Sequence, residues 1–168
     1  ILIILEIHLN FKKYKYIPII YVLISFIFFL SIDFNDQILL SFNLFIFIVI
    51  CFDIFSYIIG KLYGSKKLIK LSPNKTVEGF VGGLITTFIT SIILSYFLNF
   101  TIDLNTLFFI ALIILSAFAG DIFESYFKRK NLLKNSSELI PGHGGIFDRF
   151  DSFLFSIIFY SIFIKILI

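Results

Sequence analysis

The sequence predicts an all-α integral membrane protein, a polytopic helical bundle in one domain covering residues 1–168. Its hydrophobic fraction is 59% and its charged fraction only 15%, whereas soluble domains have about 45–50% apolar and about 25% charged residues. Five apolar segments approach or exceed the ~20 residues that a membrane-spanning helix needs, too long for barrel strands of about 9–11 alternating residues. The single cysteine, Cys51, excludes a disulfide framework and a cysteine-based zinc site.

The predicted spans follow one another with short polar connections. They cover residues 17–32, 38–59, 79–98, 106–127 and 150–168. The first span is short and needs Tyr14 and Tyr16 as interfacial residues. Residues 1–11, ILIILEIHLNF, are predicted to be the end of a sixth helix whose beginning is missing. The sequence contains no Met, so the chain is expected to be either a fragment or a protein with an unusual start.

The connecting segments alternate in charge along the chain. Every Lys and Arg except Lys165 lies in the segments 12–15, 60–78 and 128–149. A bundle with these five spans places the three segments on one side, and the positive-inside rule assigns that side to the cytoplasm. We therefore expect a multi-pass protein of the cytoplasmic membrane whose polar motifs face the cytoplasm.

The first polar motif, CFDIFSYIIGKLYG, lies at residues 51–64. Asp53, Tyr57, Gly60 and Gly64 fall on one helical face. A charge at the centre of a span costs at least about 2.5–3.5 kcal/mol, so Asp53 indicates a cavity, a packed interior or a helix end. The alternative is helix packing through the glycines, with Asp53 hydrogen-bonded to another helix.

The second motif, AGDIFESYFKRK, lies at residues 119–130 and places Asp121, Glu124, Ser125 and Lys128 on one face. Two carboxylates near the end of an apolar helix are suited to Mg²⁺, which usually binds one or two carboxylates together with substrate phosphates. The alternative is an intrahelical Glu124–Lys128 ion pair, with Asp121 capping a nearby group.

The third motif, PGHGGIFDRFD, lies at residues 141–151 and leads into the last span. A glycine-rich turn before a helix N-terminus is typical of a phosphate site. Arg149 would bind phosphate there, and Asp148 and Asp151 a metal ion that bridges it. The alternative is that both acids only stabilise the start of the helix.

A fourth motif, LSPNKTVEGFVGG, lies at residues 71–83. Ser72 and Thr76 are hydrogen-bond donors and Lys75 is a cation. The motif is also an ordinary helix start, with Glu78 in the first turn.

Together these motifs resemble the phosphatidate cytidylyltransferase (CDP-diacylglycerol synthase) family. The pattern S-x-x-K-R-x-x-x-x-K…P-G-H-G-G-x-x-D-R-x-D, from Ser125 to Asp151, is similar to its signature. SPNKTVEGFVGG and DIFSYIIGKLYG resemble two further blocks in family order. The resemblance implies a polytopic, usually dimeric enzyme that uses CTP and Mg²⁺ to convert phosphatidate to CDP-diacylglycerol and pyrophosphate. It also implies metal-binding roles for Asp121 and Asp148, with Asp151 in or next to the coordination shell.

The resemblance therefore predicts CTP, phosphatidate, the bilayer and a second copy of the chain as partners, and no nucleic acid. The predicted cofactor is Mg²⁺, with a second cation as a further possibility. The predicted catalytic residues are Asp121, Asp148, Asp151, Lys128 and Arg149. The predicted substrate-binding residues, with His143 as a hydrogen-bonding group, are Ser72, Lys75, Thr76, Glu78, Ser125, Arg129, Lys134, Gly142, His143, Gly144, Gly145, Asp53 and Tyr57.

Two features depart from the family pattern. The family has Asp directly after the second lysine, where this chain has Asn135. The N-terminal helices of the family are also expected to be missing here, apart from the stub at residues 1–11. The alternatives are a CTP-dependent lipid kinase that transfers the γ-phosphate, a transporter or channel with Asp53 and Asp121 on an ion path, and an inactive copy. CDP-alcohol phosphotransferases are disfavoured, because their Asp-Gly motif has no counterpart in the sequence.

Overall fold

A computed structural model of the chain describes residues 1–69, 71–140 and 144–167. Its elements are α1 (Leu2–Asn10), α2 (Tyr16–Leu30), α3 (Asp36–Tyr63), β1 (Lys67–Ile69), β2 (Ser72–Thr76), α4 (Val77–Phe97), α5 (Leu104–Lys130) and α6 (Phe147–Leu167). The helices confirm the all-α class and follow the predicted order. Within the described residues, three of them, α3, α4 and α5, are long and apolar enough to cross a membrane, and α2 is a shorter apolar helix. The chain is therefore a membrane protein, and five spans remain a prediction.

Side-chain caps fix where the three long helices begin. Asn35 accepts a hydrogen bond from the backbone N–H of Ile38 at 2.8 Å at the start of α3. Thr76 caps α4 and Asp103 caps α5 in the same way. Each cap satisfies an N–H that has no partner within its helix. The backbone N–H bond from Thr106 lowers the pKa of the Asp103 carboxyl.

A short antiparallel hairpin, which the sequence analysis did not predict, connects α3 to α4. Its strands pair Lys67 with Thr76 and Ile69 with Ser72. Glu78, in the first turn of α4, accepts hydrogen bonds from the backbone N–H groups of Ser65 at 3.1 Å and Lys66 at 3.2 Å. This carboxylate therefore ties the entry of the hairpin to α4.

Helices α3 and α4 pack closely because glycines and small residues line their contact. A Cβ on Gly79 would lie 2.8 Å from the Cα of Gly60, and one on Gly83 would lie 2.8 Å from the Cα of Ser56. Backbone-to-backbone approach of this kind is possible only without side chains. The packing role proposed as the alternative for Gly60 is confirmed.

The structure places the three basic segments at one end of the bundle. Residues from 60–78 and 128–149 line one pocket, and the backbone of Lys13 exchanges hydrogen bonds with the Asn131 side chain at 2.6 and 3.0 Å. A second pocket, at the other end, is lined by residues of the acidic and neutral connections, including Gln37 and Asp103. The alternation of connections predicted from charge is therefore correct.

Between the two ends lies an aromatic and aliphatic core built mainly by α3, α5 and α6. Tyr160 and Phe45 are fully buried, with ring centroids 4.8 Å apart. A second cluster packs α1 and α2 against α5 and α6, around Phe11 and Phe147. These two cores hold the helix ends that carry the polar motifs.

Candidate active site

A pocket of about 330 Å³ opens at the basic end of the bundle. Residues of α3, the hairpin, α4, α5 and α6 line it, so all four sequence motifs contribute. Its polar lining consists of Asp53, Ser56, Tyr57, Ser72, Lys75, Thr76, Asp121, Glu124, Lys128, Asp148, Arg149, Asp151 and Ser152. All five predicted catalytic residues are in this set, together with five of the predicted substrate-binding residues.

Three carboxylates form the acidic centre of the pocket. One oxygen each from Asp121, Glu124 and Asp151 lies within 4.8 Å of the other two. Glu124 is 1% exposed and Asp151 is 9% exposed. Gly120 permits the approach of α6 to α5, because a Cβ there would lie 2.5 Å from the carbonyl oxygen of Asp151. The glycine next to Asp121 in the sequence thus brings the second motif against the third.

This trio shares two members with the predicted metal set of Asp121, Asp148 and Asp151. Glu124 is the third member of the trio, and metal binding by Asp121, Asp148 and Asp151 remains a prediction. The Oε1 atom of Glu124 is buried and has no hydrogen-bond partner among the described residues. An acceptor left in this condition costs free energy unless a cation or donor reaches it.

Lys128 connects the two acidic motifs. Its Nζ lies 2.6 Å from Oε2 of Glu124, one turn earlier on α5, and 2.7 Å from Oδ1 of Asp148 on α6. The intrahelical pair proposed as the alternative for Glu124 is therefore present, within a site that also includes Asp148. One ammonium group is shared by two carboxylates.

A second cation reaches the acidic centre from the hairpin. Lys75 forms an ion pair with Asp121, and its Nζ lies 5.3 Å from the centroid of the Phe118 ring. The two paired residues, Lys75 and Asp121, are 46 positions apart in the sequence. The polar and apolar sides of the pocket meet at Lys75.

Backbone N–H groups before α6 hold Asp148. Its Oδ2 accepts hydrogen bonds from Ser136 at 2.9 Å and from Gly145 at 2.8 Å. Gly144 has a φ of +84°, which favours glycine. The described glycines of the third motif thus shape a turn around the Asp148 carboxylate. Gly142 and His143 lie outside the described residues.

Asp53 lies on the α3 side of the same pocket. The hydroxyl of Ser152 donates to its Oδ1 at 3.2 Å, and the Ser152 N–H donates to Oδ1 of Asp151 at 2.8 Å. Ser152 therefore joins the first motif to the third. The hydrogen bond to another helix that the alternative gave Asp53 is therefore present, within a pocket that Asp53 also lines. Tyr57 lines the same pocket at 68% exposure.

Several predicted substrate-binding residues lie outside the pocket lining as far as the chain is described. Arg129 donates through Nε to the carbonyl of Leu71 and through a terminal nitrogen to that of Leu133, both at 3.0 Å. The guanidinium therefore links the hairpin to the loop after α5. The others are Glu78, at the hairpin entry, Ser125, which is buried, Lys134, which is exposed, and Gly144 and Gly145, in the turn around Asp148.

Sequence reasoning missed Glu6. This side chain is 2% exposed and its Oε2 accepts hydrogen bonds from the backbone N–H groups of Ile146 at 3.0 Å and Phe147 at 3.2 Å. The sequence does contain a feature that points to this residue, because Glu6 is the one acid within the apolar segment 1–11. A lone charge among apolar residues calls for a partner elsewhere in the fold.

The chain is similar to known proteins over most of its length. A model of the cytidylyltransferase family matches residues 7–167. A phosphatidate cytidylyltransferase from Staphylococcus saprophyticus is 51% identical over 120 residues, which cover 69% of this chain and 46% of the relative. One from Staphylococcus haemolyticus is 47% identical over 120 residues with the same coverage. One from Staphylococcus aureus is 48% identical over 103 residues, 60% of this chain and 39% of the relative. The chain thus matches just under half the length of these curated relatives.

Proposed function

The chain belongs to the cytidylyltransferase family, and on that premise we propose that it transfers the cytidylyl group of CTP to phosphatidate. The products are CDP-diacylglycerol, a precursor in phospholipid biosynthesis, and pyrophosphate. The observation that carries the proposal is the convergence of the Asp121–Glu124–Asp151 trio with Lys75, Lys128 and Arg149 in one pocket. The relatives at 51% and 47% identity carry the name of this enzyme.

The proposed reaction brings two anions together. A phosphate oxygen of phosphatidate attacks the α-phosphorus of CTP, and the bond from that phosphorus to the bridging oxygen breaks. Pyrophosphate leaves with the bonding electron pair. Because the nucleophile is already an anion at neutral pH, the step needs little proton transfer, and catalysis depends on positioning and charge stabilisation.

Cationic side chains supply part of that stabilisation. Lys75, Lys128 and Arg149 line the pocket from three different elements, so they can contact phosphates from different sides. Lys75 and Lys128 have carboxylate partners, which hold both ammonium groups in place. Ser72 and Thr76 add hydroxyl groups on the hairpin side.

The donor set of the pocket fits a magnesium ion. Mg²⁺ binds oxygen at about 2.0–2.1 Å, so two ligands on opposite sides of one ion are about 4.2 Å apart, close to the spread within 4.8 Å of the trio. The pocket lining holds five carboxyl groups against three cationic side chains, an excess of negative charge that a divalent cation would balance. Asp121, Glu124 and Asp151 would hold the ion, with Asp148 beside them. When bound, Mg²⁺ would offset the negative charge of the CTP phosphates.

Aromatic residues give the pocket an apolar wall suited to a lipid substrate. Phe52, Phe80 and Phe118 line it, and the rings of Phe80 and Phe118 are 4.3 Å apart. A polar centre next to an aromatic wall at one end of an apolar bundle suits a headgroup that arrives from the bilayer while its acyl chains stay in lipid. CTP would enter from the aqueous side.

The identity of the CTP phosphorus that enters the lipid product tests this function. Membranes containing the chain are incubated with phosphatidate, Mg²⁺ and CTP labelled at either the α- or the γ-phosphorus. Cytidylyl transfer puts only the α label into lipid, as CDP-diacylglycerol. A CTP-dependent lipid kinase would put only the γ label into lipid, and a transporter or an inactive copy would put in neither.

The proposed location is the cytoplasmic membrane, with the pocket toward the cytoplasm. The support is the excess of Lys and Arg at the pocket end. In a Cys51→Ser background, single cysteines replacing Lys66 and Lys130 should be inaccessible to an impermeant thiol reagent from outside, while one replacing Lys165 should react. Labelling of the first two from outside would reverse the orientation. The homodimer remains a prediction, which cross-linking in membranes would test.

A further inference from the structure

We infer that Glu6 is a positioning residue for the active-site turn, an inference that rests on the proposed function. The turn comprises residues 144–147 and leads into α6. Glu6 lies on α1, outside the pocket lining as described, and contacts the turn through the backbone N–H groups of Ile146 and Phe147. Its role is to hold the backbone that in turn holds Asp148.

The geometry of Glu6 is that of a helix cap supplied from a distant segment. The first N–H groups of a helix have no partner within it, and those of Ile146 and Phe147 donate to Oε2 of Glu6 at 3.0 and 3.2 Å. The hydroxyl of Ser136 donates to Oε1. With three donors among the described residues, this buried carboxylate is satisfied, which a charge in an apolar environment requires.

The same short segments donate hydrogen bonds to both Glu6 and Asp148. Ser136 donates its hydroxyl to Glu6 and its backbone N–H to Oδ2 of Asp148 at 2.9 Å. Gly145 donates its N–H to Asp148 at 2.8 Å. A Cβ on Gly145 would collide with Oε1 of Glu6 and with Oγ of Ser136. The turn is therefore held by two carboxylates, and a shift at Glu6 moves the donors of Asp148.

Hydrophobic packing fixes the position of Glu6 itself. Its neighbours Ile7 and Phe11 are fully buried in the cluster that contains Phe147, and the rings of Phe11 and Phe147 pack edge to face at 6.3 Å. Helix α1 thus lies against the start of α6. Such packing explains why an acid within an otherwise apolar segment reaches the turn.

Three variants separate positioning from a general structural role. Glu6→Ala removes all three acceptor contacts. Glu6→Gln keeps them in large part, because its amide oxygen can accept both backbone N–H groups and its NH₂ can donate to Ser136. Leu9→Ala is the matched control on the same helix, since Leu9 is 77% exposed.

Activity and amide hydrogen exchange are measured on the same membrane preparations. We expect Glu6→Ala to lower kcat about 10- to 100-fold, the equivalent of one charge-assisted hydrogen bond lost from the transition state, with KM for phosphatidate within about twofold. Glu6→Gln should restore kcat to within about threefold of the parent, and Leu9→Ala should match the parent. Exchange at residues 145–147 should speed up at least about tenfold in Glu6→Ala, while exchange in α4 is unchanged.

A parental kcat in Glu6→Ala, or Glu6→Gln as impaired as Glu6→Ala, would overturn the inference. Faster exchange throughout α4 as well would assign Glu6 to general stability and overturn it too. A parent chain that forms no CDP-lipid would reject the proposed function and with it the catalytic consequence. The exchange data would still decide whether Glu6 holds the turn.

Discussion

The ammonium group of Lys128 lies 2.7 Å from Oδ1 of Asp148 and so joins the end of α5 to the start of α6. The same group lies 2.6 Å from Glu124. Two carboxylates of low exposure depend on one cation, so the contact is a structural element of the pocket as well as a part of its chemistry.

Replacing Lys128 by Met should destabilise the protein by about 3–5 kcal/mol, because it leaves the buried carboxylate of Glu124 and the half-buried one of Asp148 without their cation. Adding Glu124→Gln to Lys128→Met should recover part of that loss without recovering activity. The matched control is Lys130→Met, at the same helix end and near the Tyr126 ring at 5.3 Å, which should cost less than about 1 kcal/mol. Unfolding in detergent measures all three, and equal losses for Lys128→Met and Lys130→Met would contradict the shared ion pair.

Glu124→Gln should weaken binding of a divalent cation. We expect the dissociation constant for Mn²⁺, measured by electron paramagnetic resonance without substrates, to rise at least about tenfold, since even outer-shell changes cost 10- to 100-fold. Glu78→Gln is the matched control, because its carboxylate binds the hairpin entry. Parental Mn²⁺ affinity in Glu124→Gln together with its loss in Asp148→Asn would instead support the metal set inferred from the sequence.

Gly83→Ala should destabilise the α3–α4 contact more than Gly82→Ala. A Cβ on Gly83 meets the backbone of Ser56 at 2.8 Å, whereas one on Gly82 meets only the side chain of Ile59, at 2.6 Å. Overpacking against backbone costs about 1–3 kcal/mol, while a side chain can rotate away. Thermal unfolding of the two variants in the same detergent gives the comparison, and the reverse order would show that the glycine contact is misassigned.

Asn135→Asp should raise the turnover of phosphatidate with CTP about tenfold to a hundredfold. The reason is that an acid at this position adds one hydrogen bond to a charged group, and a bond of that strength in the transition state changes the rate by this factor. Asn135 lies beside the turn, since a Cβ on Gly144 would be 3.4 Å from its Cβ. Asp148→Asn, the comparison variant, should abolish turnover. Equal rates for parent and Asn135→Asp would show that the position is neutral.

The helices were predictable because apolar length alone identifies a membrane-spanning helix. The predicted span 79–98 differs from α4 by only a few residues at its start, where Thr76 provides the cap. The hairpin was not predictable, since strands of three and five residues leave no periodic pattern. The alternation of basic and acidic connections correctly predicted which helix ends lie together.

The candidate site was predictable as a set of motifs and not as a set of contacts. Helical spacing placed Glu124 and Lys128 on one face, and the structure pairs them. No local spacing indicates that Lys75 pairs with Asp121 or that Arg129 binds the backbone of Leu71. Those contacts depend on how the hairpin folds onto α5, which only tertiary packing determines.

The most direct test of the proposed function is the stoichiometry of the reaction with phosphatidate, CTP and Mg²⁺. It is measured for the purified protein and for its Asp151→Asn variant. Mass spectrometry identifies the lipid, and an enzyme-coupled assay counts pyrophosphate. We predict one pyrophosphate released for each CDP-diacylglycerol formed by the parent, and neither product from folded Asp151→Asn. CDP release with a newly phosphorylated lipid, or equal CDP-diacylglycerol formation by parent and variant, would contradict it.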